Sequence, residues 1–372
     1  MYERSEIPLA GLGAGIVLNP ATVRYFTANG VLDLDEISVP AGWLRYMDQE
    51  GGIVDEQPVS YLFSSYTALY RRFMDCFGKE HYHLNTPIEK FEQDADGVVV
   101  RLAEGCTKRC ELLICADGIR STAREQLIRD ATLEYAGYVA WRGTVSEDEV
   151  DPETYALLDE AIIYHVMPYS HMLAYPIPMV DGTSDSGRPQ INWLWYCNVA
   201  EGRDLDDLMT DKEGTRRAVS LYPGIVQSRH IEKLREDAKS ALPPPLVEVT
   251  LETAEPFVQT VFDAEVPRMA FGRVALIGDA AFAARPHAAA GSAKAAEDAF
   301  KLSEAVKKAD GNVPAALKNW ESSQLNLGRD VLFRTRKAGR RSQFEGTWRV
   351  GDPLPFGLYE VGDSEMSGRT VP

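Results

Sequence analysis

"VALIGDAAFAARPHAAAGSAKA" (Val274–Ala295) is the stretch on which the fold of this chain turns. Its apolar run Val274–Ile277 reads as a buried strand that stops at Gly278-Asp279, where glycine permits the turn. A loop holding Pro286 then leads into a helix start made of small residues, Ala288 to Ala293. Small side chains let a flat ring approach the backbone, and the open N–H groups and dipole of a helix start favour negative charge there. Asp279, at the strand end, is placed to accept hydrogen bonds from ligand hydroxyls. The same letters also suit an ordinary buried strand followed by an alanine-rich helix, so the stretch needs support from elsewhere in the chain.

Upstream, "LLICADGIRSTAR" (Leu112–Arg124) repeats the pattern of an apolar strand ending in Asp117-Gly118, followed by a helix. Asp117 and Ser121 would equally serve as the cap of that helix. Between the two stretches the chain is rich in aromatic and β-branched residues, from "YAGYVAWRGTV" (Tyr135–Val145) to "INWLWYCNVAEG" (Ile191–Gly202), which predicts a strand-rich section. Other expected elements are helices over Pro20–Asn29, Tyr66–Phe77, 119–128 and 313–341. Polar helical sequence is expected over 203–240, strands within 82–115, and a tail over 351–372 with little regular structure. The basic run Arg329–Arg341 reads as a solvated helix face.

The chain has 372 residues, enough for two domains, and 45% of them are apolar, as in ordinary folded proteins. A formal net charge of −17 repels phosphate, which argues against nucleic acid or an anionic membrane as partner. Five cysteines (Cys76, Cys106, Cys110, Cys115, Cys197) form no C-x-x-C pair and read as reduced thiols of a cytoplasmic protein. No apolar run approaches membrane-spanning length, and the first residues carry no signal-peptide core.

The glycine cluster "GLGAG" (Gly11–Gly15) fails as a dinucleotide phosphate loop. Residues 1–9 hold Glu3, Arg4, Ser5, Glu6 and Pro8 and are no buried strand, and no glycine follows Gly13 at the required spacing.

Taken together, the two strand–turn–helix stretches and the aromatic section between them resemble the single-component FAD-dependent aromatic hydroxylases of the para-hydroxybenzoate hydroxylase fold. The resemblance spans nearly the whole chain and is strongest to dihydroxypyridine-type members. It is carried by "YERS" (Tyr2–Ser5), "TVRYF" (Thr22–Phe26), "YAGYV" (Tyr135–Val139), "WRG" (Trp141–Gly143), "AYPIP" (Ala174–Pro178), "NVAEG" (Asn198–Gly202), "DLDDLMTD" (Asp204–Asp211), "GRVALIGDAA" (Gly272–Ala281) and "RPHAAAG" (Arg285–Gly291). It implies an α/β (α+β) two-domain protein. A Rossmann-like FAD domain would comprise 1–134 and 254–342 and lack its first βα unit. A mostly antiparallel substrate sheet would span 135–253, with an extension over 343–372.

The implied cofactor is FAD, with NAD(P)H as co-substrate; O2 adds at flavin C4a and hydroxyl passes to a small, electron-rich aromatic or pyridine ring. A second copy of the chain is the only macromolecular partner this reading allows. In the resemblance Glu3, with Arg4 beside it, takes the adenosine ribose, and Gly13 lies in a loop passing the flavin. Asp117, Asp279, Pro286, Gly291 and Ser292 surround the cofactor. The G-x-G-x-x-G unit of the family would lie about 30 residues before Glu3, so a longer natural polypeptide is expected. Tyr66, Ala288 and Ala293 stand where many members carry Arg, Gly and Asn, which reads as subgroup character.

For the substrate the sequence offers His171, Tyr175, Trp193, Trp195 and Tyr196, and for the catalytic base His287. On a strand, Trp193 and Trp195 point to one face and Leu194 and Tyr196 to the other, so only one set can face a ligand. His171 also reads as an exposed turn residue. Two other readings stand beside the hydroxylase: a non-catalytic remnant that no longer holds FAD, and an NAD-dependent dehydrogenase, against which the missing fingerprint argues.

Overall fold

The computed structural model describes residues 1–9, 15–31, 33–103, 105–178 and 189–366. In chain order the strands are β1 (Gly15–Val17), β2 (Val39–Met47), β3 (Ile53–Ser65), β4 (Ile88–Gln93), β5 (Val98–Leu102), β6 (Thr107–Cys110), β7 (Leu113–Cys115), β8 (Leu133–Ser146), β9 (Ala161–Met167), β10 (Ser170–Ile177), β11 (Gln190–Asn198), β12 (Ser220–Leu221), β13 (Phe257–Ala264), β14 (Ala270–Phe271) and β15 (Val274–Leu276). The helices are α1 (Pro20–Asn29), α2 (Tyr66–Phe77), α3 (Thr122–Leu127), α4 (Pro152–Leu158), α5 (Arg203–Leu208), α6 (Ser228–Ala241), α7 (Pro244–Glu252), α8 (Gly291–Lys308) and α9 (Val313–Gln343).

One sheet dominates. Its order is β1-β3-β2-β9-β10-β11-β8-β13-β12, antiparallel throughout except where β2 runs parallel to β9. Period-two alternation gives it two different faces. One face buries Trp141, Trp193 and Trp195 against Leu158, Leu205, Leu234, Leu246 and Val249 of the helices α4 to α7. The other carries Tyr46, Phe63, Tyr138, Tyr164, Tyr175 and Tyr196 and is covered in part by Trp348 and Phe356. The smaller body holds β7 and β15 in parallel register, flanked by β14, together with the antiparallel trio β4-β5-β6. It packs on α3, α8 and α9 through Phe91, Ala123, Phe282, Leu302, Leu317 and Trp320.

The strands at 39–65 depart from the expected division of the chain. They fall within 1–134, the expected cofactor half, yet β2 pairs Trp43–Tyr46 with Ala161–Tyr164 and so extends the substrate sheet. Pro40 and Gly42 blur the alternation of β2, which hides it in the sequence. The 203–240 region is helical only in α5 and α6, with β12 between them. Residues 344–366 have no helix or strand, which over 351–366 is as expected of the tail, but they bury Trp348, Leu354, Phe356 and Leu358. The basic face of α9 anchors this segment instead of meeting solvent alone: Arg334 donates to the carbonyls of Gly357 and Leu358, and Arg341 to Asp352.

Candidate active site

The aromatic face of the large sheet and the start of α8 enclose a cavity of about 610 Å3. On the helix side, Gly278 turns the chain just past β15 with φ 57°; a Cβ there would stand 3.2 Å from Ala295 Cβ, so glycine lets this turn approach α8. The Gly278 N–H donates to Asp298 Oδ2 at 2.9 Å, and Lys294 Nζ holds the same oxygen at 2.6 Å, both partners being buried. That network fixes the turn carrying Asp279. Among the described residues the Asp279 carboxylate makes no hydrogen bond, and its exposure is to the cavity. The protein packed around it desolvates the carboxyl and raises its pKa above the ordinary value, with Lys294 and Arg124 pulling it down. The N-cap of α8, Ala290, offers the helix no side-chain acceptor, so the first amides of α8 remain open. Pro286, Gly291 and Ser292 line the same wall.

On the sheet side the cavity meets His171, Leu173 and Tyr175 of β10, Leu194 and Tyr196 of β11, Arg142 of β8 and Tyr164 of β9. His287 joins them from the loop before α8, with its ring centroid 4.9 Å from Tyr196 and 5.6 Å from His171. Its Nε2 lies 2.7 Å from the Tyr138 hydroxyl. Burial, and then the charge of Arg285, push His287 down to about 3, so the ring is neutral at pH 7. His171 is also held well below its ordinary value by burial and by His287. Tyr175 sits so close to Gly15 that a Cβ there would meet its ring at 2.6 Å.

The structure sorts the residues singled out from the sequence. Asp279, Pro286, Gly291, Ser292, His171, Tyr175, Tyr196 and His287 come together in one cavity. Trp193 and Trp195 do not reach it. They lie on the other face of the sheet, with indole N–H groups bound to Thr253 and Ser170, so Leu194 and Tyr196 are the pair that faces the cavity. His171 is no exposed turn residue; it is 1% exposed and tied to Ser342 of α9. Asp117 caps α3, accepting from Ser121 Oγ at 2.6 Å and the Ala123 N–H at 3.0 Å, and is not among the residues lining the cavity. Glu3 and Arg4 are also away from its lining. Glu3 pairs through its backbone with His83 and Thr86 and accepts the Ser5 N–H, while Arg4 is exposed. Gly13 lies outside the described residues.

Sequence reasoning missed Arg142, Tyr164, Trp348 and Phe356. Arg142 carried a usable signal, since it shares a strand face with Tyr138 and Ala140. Trp348 and Phe356 carried none, because irregular backbone has no periodicity to read.

A family profile described as "FAD binding domain-like" matches residues 135–263. The chain is 38% identical over 368 residues to 2,6-dihydroxypyridine 3-monooxygenase of Paenarthrobacter nicotinovorans, covering 98% of this chain and 91% of that protein. It is 26% identical to 6-hydroxynicotinate 3-monooxygenase of Pseudomonas fluorescens, over 83% of this chain and 76% of that one. The solved structure of 2,6-dihydroxypyridine-3-hydroxylase from Arthrobacter nicotinovorans superposes with a TM-score of 0.90 at 38% identity, covering 97% of this chain and 90% of that chain. Klebsiella pneumoniae HpxO, complexed with FAD and uric acid, shares the fold at a TM-score of 0.74 and 22% identity, with 92% and 82% covered. The chain belongs to the FAD-dependent aromatic monooxygenases, in the family of 2,6-dihydroxypyridine 3-monooxygenase.

Proposed function

We propose that this enzyme hydroxylates a small oxygen-substituted pyridine, 2,6-dihydroxypyridine or a near relative, with NAD(P)H as reductant, and that it works in the cytoplasm. The observation that carries the reading is the meeting, in one cavity, of Asp279 and the open α8 start with His171, Tyr175, Tyr196 and His287. All five cysteines are free, in keeping with a reducing compartment. No described helix is long and apolar enough to cross a membrane.

The residues present fit FAD at its flavin end. Asp279 is an unpartnered acceptor for ribityl hydroxyls, the open α8 amides suit a pyrimidine ring that gains negative charge, and Ala289, Ala290 and Gly291 leave room for a flat ring. When bound, FAD supplies the redox chemistry, accepting reducing equivalents from NAD(P)H and activating O2. The chain's own part is positioning. Tyr164, Tyr196, Trp348 and Phe356 line the cavity with aromatic surface. Tyr175, Tyr196, His171 and His287 orient the ring between sheet and helix.

The test is direct. Purified protein loaded with FAD receives 2,6-dihydroxypyridine, NADH or NADPH, and 18O2. The expected result is ring-stimulated NAD(P)H oxidation with one 18O atom in the product. Absence of both stimulation and label overturns the reading.

A further inference from the structure

Of the chain's eight asparagines, one is followed by glycine: Asn29-Gly30. The pair closes α1 at an exposed helix end. Gly30 adopts the left-handed conformation, φ 59° and ψ 33°, and its N–H donates to the carbonyls of Phe26 and Thr27. The Val31 N–H reaches back to the Phe26 carbonyl at 3.2 Å. The bonds from Gly30 to Thr27 and from Val31 to Phe26 both span the 29–30 linkage, and together they end the helix in a Schellman turn. Asn29 adds another bond by donating from Nδ2 to the Tyr25 carbonyl at 2.7 Å. The turn matters beyond its own residues. Phe26, in the last turn, is fully buried with Leu18, Val23, Ile37 and Leu69, and its ring centroid lies 4.5 Å from that of Phe73.

The chemistry of the pair follows from its surroundings. Glycine has no side chain to shield its own nitrogen, and among the described residues no atom comes within 4 Å of where a Gly30 Cβ would stand. Once deprotonated, that nitrogen can close a five-membered ring on Asn29 Cγ. Closure requires Asn29 to leave its helical ψ, so the bonds of the turn must open first. They sit at an exposed helix end, where opening costs least. The other asparagines lack this combination. Asn19 caps α1 and precedes Pro20, whose nitrogen has no proton to lose. Asn192 is buried in β11. Asn85, Asn198, Asn312, Asn319 and Asn326 precede Thr, Val, Val, Trp and Leu, whose side chains crowd the attacking nitrogen.

We propose that Asn29 is a site of self-modification whose product uncaps α1. The Gly30 nitrogen bonds to Asn29 Cγ, the Cγ–Nδ2 bond breaks, and ammonia leaves with the proton that the Gly30 nitrogen gave up. Water then adds to one of the two ring carbonyls and opens the succinimide. Addition at Cγ gives aspartate, and addition at the main-chain carbonyl gives isoaspartate. No atom changes oxidation state. Isoaspartate routes the main chain through Cβ and Cγ and lengthens it by one atom, so neither bond of the Schellman turn keeps its register. The new carboxylate also stands at the negative end of the helix dipole, and the Nδ2 donor to Tyr25 is gone. The last turn opens and Phe26 loses its cover. The rest of α1 stays docked, because Asn19 is bound to Asp363 and Ser364 and Arg24 to Glu297 of α8.

Freshly purified, FAD-loaded protein is kept warm in mildly alkaline buffer, beside the same chain unfolded in guanidinium. Samples are digested, and the fragment holding residue 29 is read for deamidation by mass. Isoaspartate is read by methyl transfer from labelled S-adenosylmethionine with an isoaspartyl methyltransferase. The expected result is deamidation first at Asn29, with isoaspartate in excess of aspartate, about tenfold or more slower than in the unfolded chain because the last turn must open. The converted fraction is separated by its added charge on anion exchange, and its Gly30 and Val31 amides are expected to exchange hydrogen at least about tenfold faster than in fresh protein. Asn29→Gln, for which closure would need a six-membered ring, is expected to stay unconverted and to keep its amide protection. A folded chain without isoaspartate at residue 29 once the unfolded chain has converted overturns the proposal. So does conversion that begins at another asparagine, or at an Asp-Gly pair such as Asp96-Gly97 or Asp310-Gly311. Isoaspartate at residue 29 with unchanged exchange at Gly30 and Val31 overturns the uncapping of α1.

Discussion

At Asp279 a carboxylate is held against the cavity with no protein partner, and its folded pKa is raised, chiefly by desolvation. The sign follows: the folded chain binds this proton more readily than the unfolded one, so stability is greatest below the unfolded value of about 3.9 and falls as pH rises through the folded value. Asp279→Asn is expected to raise the melting temperature of FAD-free protein at neutral pH. It should also weaken FAD by roughly 1.5–3 kcal/mol, the worth of a hydrogen bond to a charged group. Thermal melts and flavin retention on gel filtration read the two effects, and unchanged retention removes Asp279 from the cofactor site. His287 has the opposite linkage. Its folded value near 3 lies below the unfolded value, so its contribution is complete above about pH 6.5 and is lost by ~1.4 kcal/mol per unit as pH falls toward 3. Urea unfolding of His287→Gln should show a shallower acid limb between about pH 6.5 and pH 4.5 than the parent. Parallel limbs would contradict it. Asp279 was legible because a strand, a glycine and an acid follow one another in the sequence. The burial of His171 was not, since Ser342, which holds it, is 171 positions away.

Among the elements, β11 shows what alternation reveals and what it hides. The pattern separates Trp193 and Trp195 from Leu194 and Tyr196, but which set faces the ligand depends on where α4 to α7 pack, and no single strand carries that information. The two faces should answer differently to mutation. Trp193→Ala, on the fully buried helix-packed face, is expected to cost ~3–5 kcal/mol of stability. Ligand affinity should change little in the fraction that folds. Tyr196→Phe should leave stability nearly unchanged, because its hydroxyl has no hydrogen bond to any described residue, and should weaken the bound ring by several-fold. Denaturant midpoints and ring titrations separate them, and a Trp193→Ala variant of parental stability would refute the packing. The βα stretches at both ends of the chain were readable from composition and glycine placement. Strand β2 was not, because its partner β9 lies more than a hundred residues on.

Over the whole molecule, one wall of the cavity is a segment without helix or strand. Trp348 and Phe356 line it, Arg334 and Arg341 tie the segment to α9, and Asp363 gathers the N–H groups of Leu358 and Tyr359 at 2.6 and 2.7 Å. Truncation after Gln343 is expected to strip the ring-binding wall while the three sheets persist. Circular dichroism close to the parent's, together with loss of ring binding, is the expected outcome; a truncated chain that still binds the ring would show that the segment only decorates the surface. The placement of this wall also bears on biosynthesis. Trp348 and Phe356 leave the ribosome after every other residue that lines the cavity. A nascent chain can assemble the three sheets, present Asp279 and the start of α8, and still lack the Trp348 and Phe356 wall until residue 356 has cleared the exit tunnel. Cofactor capture by ribosome-bound chains stalled with residue 356 inside the exit tunnel and, on an appended linker, outside it should therefore differ in its resistance to dilution.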